Sequence, residues 1–133
     1  MGARWQARLI DAMQALSTRY SVCLISDLPE GQSKGFRLSA FGPDDFFLVN
    51  QAGVIHGYRN SCPHWPGATL PLKRGDYLDE SARHIVCHGH NALFEIETGR
   101  CISGPCLGER LTPLTIEVDQ SGTVFILTHT ASL

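Results

Sequence analysis

Two short stretches, more than any apolar run, constrain how this chain can fold. They are Ser61-Cys62-Pro63-His64-Trp65-Pro66-Gly67 and Val86-Cys87-His88-Gly89-His90-Asn91, and each sets one cysteine close to a histidine. The pairs read Cys62-x-His64 and Cys87-x-x-His90, with 22 residues between them. Two thiolates and two imidazoles on two loops can hold one metal centre, provided the fold brings the loops together. Pro63 has no N–H to give a strand ladder, so the first pair belongs to a loop. In a loop, residues i and i+2 can converge on one centre. Pro66 and Gly67 turn the chain after the first pair, and Gly89 turns it inside the second. Tight turns of this kind point backbone N–H groups inward, where they donate to sulfur.

The rest of the chain predicts how the loops are carried. Trp5, Leu9, Met13 and Leu16 fall on one face of a helix over residues 3–16. From about residue 21 the texture changes to short strands between turn signals. Strands are expected at Ser21–Ile25, Gly35–Ser39, Phe46–Asn50 and Val54–Tyr58, the last two joined by Gln51-Ala52-Gly53. Arg83–Val86 delivers Cys87, Ala92–Ile96 leads away from the second loop, and Arg100–Ile102 is short. Leu70–Glu80, rich in Pro, Lys, Arg, Gly and Asp, reads as a surface excursion. Leu114–Val118 and Thr123–Thr128 form a last hairpin around Asp119-Gln120-Ser121-Gly122, and the tail from His129 is expected to fray. Such a pattern predicts an all-β fold, a small antiparallel sandwich or barrel, preceded by an N-terminal helical segment at residues 1–20, with the domain proper at 21–130.

The order Cys-x-His then Cys-x-x-His is that of a [2Fe–2S] cluster in which two histidines replace two cysteines on one iron. Two ferric ions, two sulfides, two thiolates and two neutral imidazoles sum to an uncharged oxidised centre. An electron enters it more readily than it enters a four-thiolate cluster, which starts out anionic. A structural zinc site is the rival reading, because Cys₂His₂ is a common zinc set. Against it, the ligands come as Cys-His pairs rather than Cys-Cys and His-His.

From Val22 to Leu127 the chain resembles a Rieske-type [2Fe–2S] protein. The residues that carry the resemblance are Cys62-Pro-His64-Trp-Pro-Gly67-Ala-Thr-Leu70, Cys87-His-Gly-His90-Asn-Ala-Leu-Phe94 and Thr98-Gly99-Arg-Cys-Ile-Ser-Gly104-Pro105-Cys106. It implies that Cys62, His64, Cys87 and His90 bind one [2Fe–2S] cluster. It also implies that the two histidines bind through Nδ1 and form the gateway for electron and proton. The spacer between the loops is longer than usual, and Asn91 stands where the family usually has glycine; Asn tolerates left-handed φ best among the other residues.

The respiratory branch of that family braces its cluster with a disulfide between the loops, but the matching positions here are Gly67 and Gly89. That branch also has Ser and Tyr hydroxyls beside the cluster sulfurs, where this chain has Ala92 and Phe94. Fewer donors disfavour the reduced form, so the resemblance implies a potential near the bottom of the Rieske window, roughly −150 mV. Low-potential members are ferredoxins and oxygenase components. A terminal oxygenase needs a second iron site on a further domain, and the chain ends before one could form. The expectation is therefore a one-electron carrier, a ferredoxin between a reductase and an oxygenase or other reductive enzyme. The alternative is a small electron-transfer or regulatory subunit of a larger oxidoreductase.

The remaining features set the bounds. No nucleophile–base pair or open metal position is evident, so an enzyme in its own right is the weakest reading. The formal net charge is −2, which gives no basic field for nucleic acid. No apolar run is long enough for a membrane span. Arg4, Arg8 and Asp11 interrupt any signal-peptide core, which points to a cytoplasmic protein. The stripe on residues 3–16 is expected to pack on the domain or to make a homo-oligomer contact. Cys101 and Cys106 read as small buried residues under the loops rather than as a disulfide or redox pair. Cys23 reads as core, His88 as covering its loop or facing water, and His56, His84 and His129 as ordinary strand or tail residues. Trp65 is either a docking contact or loop packing.

Overall fold

The computed structural model describes residues 17–63, 68–71, 75–89 and 91–129. Nine strands run β1 (Ser17–Leu24), β2 (Ser33–Phe36), β3 (Phe46–Gln51), β4 (Val54–Arg59), β5 (His84–Cys87), β6 (Ala92–Glu95), β7 (Cys101–Ser103), β8 (Thr115–Val118) and β9 (Thr123–His129). A single 3₁₀ turn, Ile25–Asp27, is the helical element among the described residues. The helix expected over residues 3–16 lies outside them. None of their helices is long and apolar enough to cross a membrane.

The strands form three antiparallel sheets of three, in the orders β1-β9-β8, β2-β3-β4 and β5-β6-β7. The middle sheet carries the architecture. Phe46, Phe47, Leu48 and Val49 of β3 are all buried, and the strand period of two divides them. Phe46 and Leu48 join Leu28, Ile55, Val124 and Ile126 in one core against the β1-β9-β8 sheet. Phe47 and Val49 join Tyr58, Tyr77, Ile85, Phe94 and both loop cysteines in the other. An unbroken apolar run in β3 is thus the signature of a strand covered on both faces.

Three expectations are corrected. β1 starts at Ser17, not near residue 21, because Ser17–Tyr20 pairs with Ile126–His129 of β9, a partnership that no local pattern announces. For the same reason ordered strand reaches His129, where fraying was expected. Nor is Leu70–Glu80 simply a surface excursion. Leu70 and Tyr77 are fully buried, Tyr77 stacks on Phe47 at 4.2 Å between ring centroids, and Leu78 bridges to Ile85 of β5. On both sides of residues 72–74 the described parts of the segment are anchored in the core, through Leu70 and Tyr77. In the β3–β4 turn, Ala52 as well as Gly53 has positive φ, 53° and 88°. Both central residues of a two-residue hairpin need that geometry, which matches the strand twist.

Candidate metal centre

The first loop follows β4. Its entrance and exit are pinned by Asn60, a buried polar residue that the sequence reading passed over. Its side-chain Nδ2 donates to the Asp44 carbonyl at 2.9 Å, and its Oδ1 accepts from the Leu70 N–H at 2.9 Å. Inside this brace the Cys62 N–H donates to the Ala68 carbonyl at 2.8 Å. Asp44 is buried too, and its Oδ2 accepts from the Tyr77 hydroxyl at 2.9 Å. The detectable signal for this network was Asn60 itself, an amide directly ahead of Ser61-Cys62.

The second loop is the β5–β6 connection. Val86 N–H donates to the Tyr77 carbonyl at 2.9 Å, which holds β5 against the segment after residue 75. His88 N–H donates to the Leu70 carbonyl at 2.9 Å, so one hydrogen bond ties the second loop to the end of the first. Asn91 adopts φ 55°, as expected of the residue standing in for glycine. His88 is partly exposed beside its loop: its Nε2 approaches Asp76 at 3.5 Å, while its Nδ1 is buried with no hydrogen-bond partner among the described residues.

These ties bring Cys62 and Cys87 into one core cluster, at 0% and 1% exposure. No cysteine in the chain is in a disulfide. His64 and His90, expected to complete the set, and Trp65 lie outside the described residues. Ala92 and Phe94 are fully buried in the same cluster, and neither offers a hydroxyl. The donor chemistry present fits an iron–sulfur centre. Soft thiols buried together in an apolar core are a donor set that a metal can bind and neutralise as thiolates.

A third segment, the loop after β7, packs over the pair. Gly104 has φ 104°, and a Cβ there would stand 2.8 Å from the Ala92 Cα, so only glycine lets the loop lie on β6. Cys101 and Cys106 are both buried in the shared core, as expected, but they are also in contact: the Cys106 thiol donates to Cys101 Sγ at 2.9 Å. Burial first, then Cys101 and Cys62, push the Cys106 thiol up to about 12. Cys23 is half-buried in β1 beside the other core, where burial raises its pKa, in keeping with a core role. His84 bonds Asp79 through Nδ1 at 3.1 Å. Burial pushes Asp79 up, but hydrogen bonds from His84, Ser81 and Arg83 outweigh it and hold the carboxyl below its usual range.

The fold and the paired loops define an iron–sulfur domain. Residues 18–124 match the model of the Rieske [2Fe-2S] domain family, and the chain belongs to that family. It therefore carries one [2Fe–2S] cluster rather than zinc. No curated protein matches the chain. Among solved structures it is similar to the ferredoxin of carbazole 1,9a-dioxygenase from Nocardioides aromaticivorans IC177, with 19% identity and a TM-score of 0.61 over 85% of this chain and 99% of that one. It is similar to a Sphingomonas yanoikuyae B1 ferredoxin, with 21% identity and a TM-score of 0.62 over 82% and 97%. It also resembles the terminal oxygenase of carbazole 1,9a-dioxygenase from Novosphingobium sp. KA1, with 21% identity and a TM-score of 0.67, where 86% of this chain covers 30% of the other.

Proposed function

We propose that this chain is a Rieske-type ferredoxin, a one-electron carrier between a reductase and an oxygenase or other reductive enzyme. In this reading Cys62, His64, Cys87 and His90 hold the cluster, and the chain has no substrate chemistry of its own. The observation that carries it is the convergence of Cys62 and Cys87 in one buried core, their loops tied by the His88–Leu70 hydrogen bond. The near-complete match to two ferredoxin chains supports a carrier over a fragment of a catalytic subunit.

When bound, the cluster supplies a site that takes up and gives back one electron. The chain's residues set its surroundings. Asn60 and the His88 N–H hold the loops in one geometry, so little reorganisation is needed as charge changes. Phe94, Ala92 and Leu70 exclude water on the core side. The absence of hydroxyls at positions 92 and 94 keeps the reduced form poorly stabilised, which suits a donor at low potential.

The proposal places the protein in the cytoplasm. It extends to the Trp5-Leu9-Met13-Leu16 stripe as a dimer contact, which light scattering before and after removal of residues 1–16 would test. The central experiment is electron paramagnetic resonance of the reduced protein during a redox titration, on wild type, His64→Ala and His90→Ala. A rhombic signal from a mixed histidine–cysteine cluster, lost in both variants, is the expected result. Retention of that signal in either variant would remove that histidine from the ligand set.

A further inference from the structure

The ligand set proposed above leaves two contacting thiols unused. Cys101 begins β7, and Cys106 follows Gly104-Pro105 in the loop beyond it. The loop folds back on Cys101: the Cys101 N–H donates to the Glu109 carbonyl at 2.8 Å, the Gly108 N–H to the Cys101 carbonyl at 3.2 Å, and the Glu109 N–H to the Cys106 carbonyl at 2.8 Å. This closure holds the sulfurs 2.9 Å apart. A covalent S–S bond is about 2.05 Å, so side-chain rotation has to remove only about 0.9 Å.

The loop that carries Cys106 runs along the surface. From Ile102 to Arg110 every residue except Cys106 is exposed, and Leu107 stands 68% exposed beside it. Exchange with a small molecule requires this loop to lift from Ala92, against which Gly104 packs.

We propose that Cys101 and Cys106 form a second redox site, a reversible thiol–disulfide couple that exchanges with low-molecular-weight disulfides such as oxidised glutathione. One thiol attacks the small disulfide and releases one molecule of its thiol. The other cysteine then displaces the second. The two protein thiols lose two protons and two electrons in forming the Cys101–Cys106 bond, and the small disulfide takes them up to become two thiols. The closed ring spans six residues, so it removes little entropy from the unfolded chain. Such a bond is a poor staple and a natural switch. It would form in the same buried core that holds Cys62.

The test uses the cluster-loaded protein, incubated with oxidised glutathione over a range of ratios to reduced glutathione. Free thiols are then alkylated under denaturing conditions and the chain is cut with trypsin. Residues 101–110 leave as one peptide with both cysteines, while Cys62 and Cys87 leave on separate peptides. Under oxidising ratios the 101–110 peptide should carry no alkyl group and be lighter by two hydrogens. A dithiol reductant should restore two alkyl groups. Two alkyl groups at every ratio, a link from this peptide to that of Cys62 or Cys87, or a failure to reverse would each overturn the proposal. None of these readouts depends on the identity of the cluster ligands.

Discussion

Gly104→Ala is the sharpest perturbation of the site that leaves every proposed ligand untouched. Two costs arise. An L-residue at φ 104° lies in a sparsely populated region, which costs about 1–3 kcal/mol. The new methyl also meets Ala92 at 2.8 Å from Cα and 3.1 Å from Cβ, and this is buried strand backbone that cannot step aside. Forcing a methyl into such a space costs typically about 1–3 kcal/mol. A combined loss of about 3 kcal/mol lowers the folded-to-unfolded ratio roughly a hundredfold. With a slope of about 2 kcal/mol/M, the urea midpoint should fall by about 1.5 M. Gly108→Ala is the internal control. Its φ is 89° but nothing lies within 4 Å of its Cβ, so it incurs the backbone cost alone. Far-ultraviolet circular dichroism in urea on all three proteins gives both numbers. If Gly104→Ala and Gly108→Ala lose the same stability, the close approach of this loop to β6 is refuted.

Three further outcomes are expected. Asn60→Ala leaves the Leu70 N–H and the Asp44 carbonyl without their partner, at about 1–3 kcal/mol for each buried group, and should speed cluster loss, read as bleaching of visible absorbance. Burial, then Glu97 and Glu95, raise Tyr58 to about 12, and its hydroxyl donates to the Ile96 carbonyl. A raised folded pKa gives stability that is complete below the unfolded value of about 10 and lost as pH climbs to about 12, some 2–3 kcal/mol in all. Tyr58→Phe should therefore flatten the alkaline limb of the stability curve from denaturant melts. Finally, the redox titration should give a potential near −150 mV on the family's scale, and a value above about +100 mV would contradict the role assigned to Ala92 and Phe94.

What could be read in advance follows from the range of the physics. The loop cysteines were legible because Pro63, Pro66 and Gly89 punctuate the chain locally, and the β3–β4 and β8–β9 hairpins because their turns are local too. The pairing of Ser17–Tyr20 with β9 was not, since it joins residues a hundred positions apart and the segment is polar. Leu70 and Tyr77 were hidden by the charged, turn-rich residues between them. Asn60 and Asp44 were missed because a buried polar residue looks like a surface one until its partners are known. The contact between Cys101 and Cys106 needed the fold-back of a loop whose composition says only that it turns.

β3 has one more consequence. A strand with a greasy and a wet side is told by water which way to face; β3, apolar on both, receives no such instruction, and sliding it by one position would still leave hydrophobic side chains on each side. Something else must stop the slide. The candidate is Asn50, whose side-chain Oδ1 accepts from the Gly53 N–H at 3.0 Å while its Nδ2 donates to the Leu28 carbonyl at 2.8 Å. One amide thus locks the hairpin to the chain that enters it, acting as a detent for the alignment on which both halves of the molecule depend.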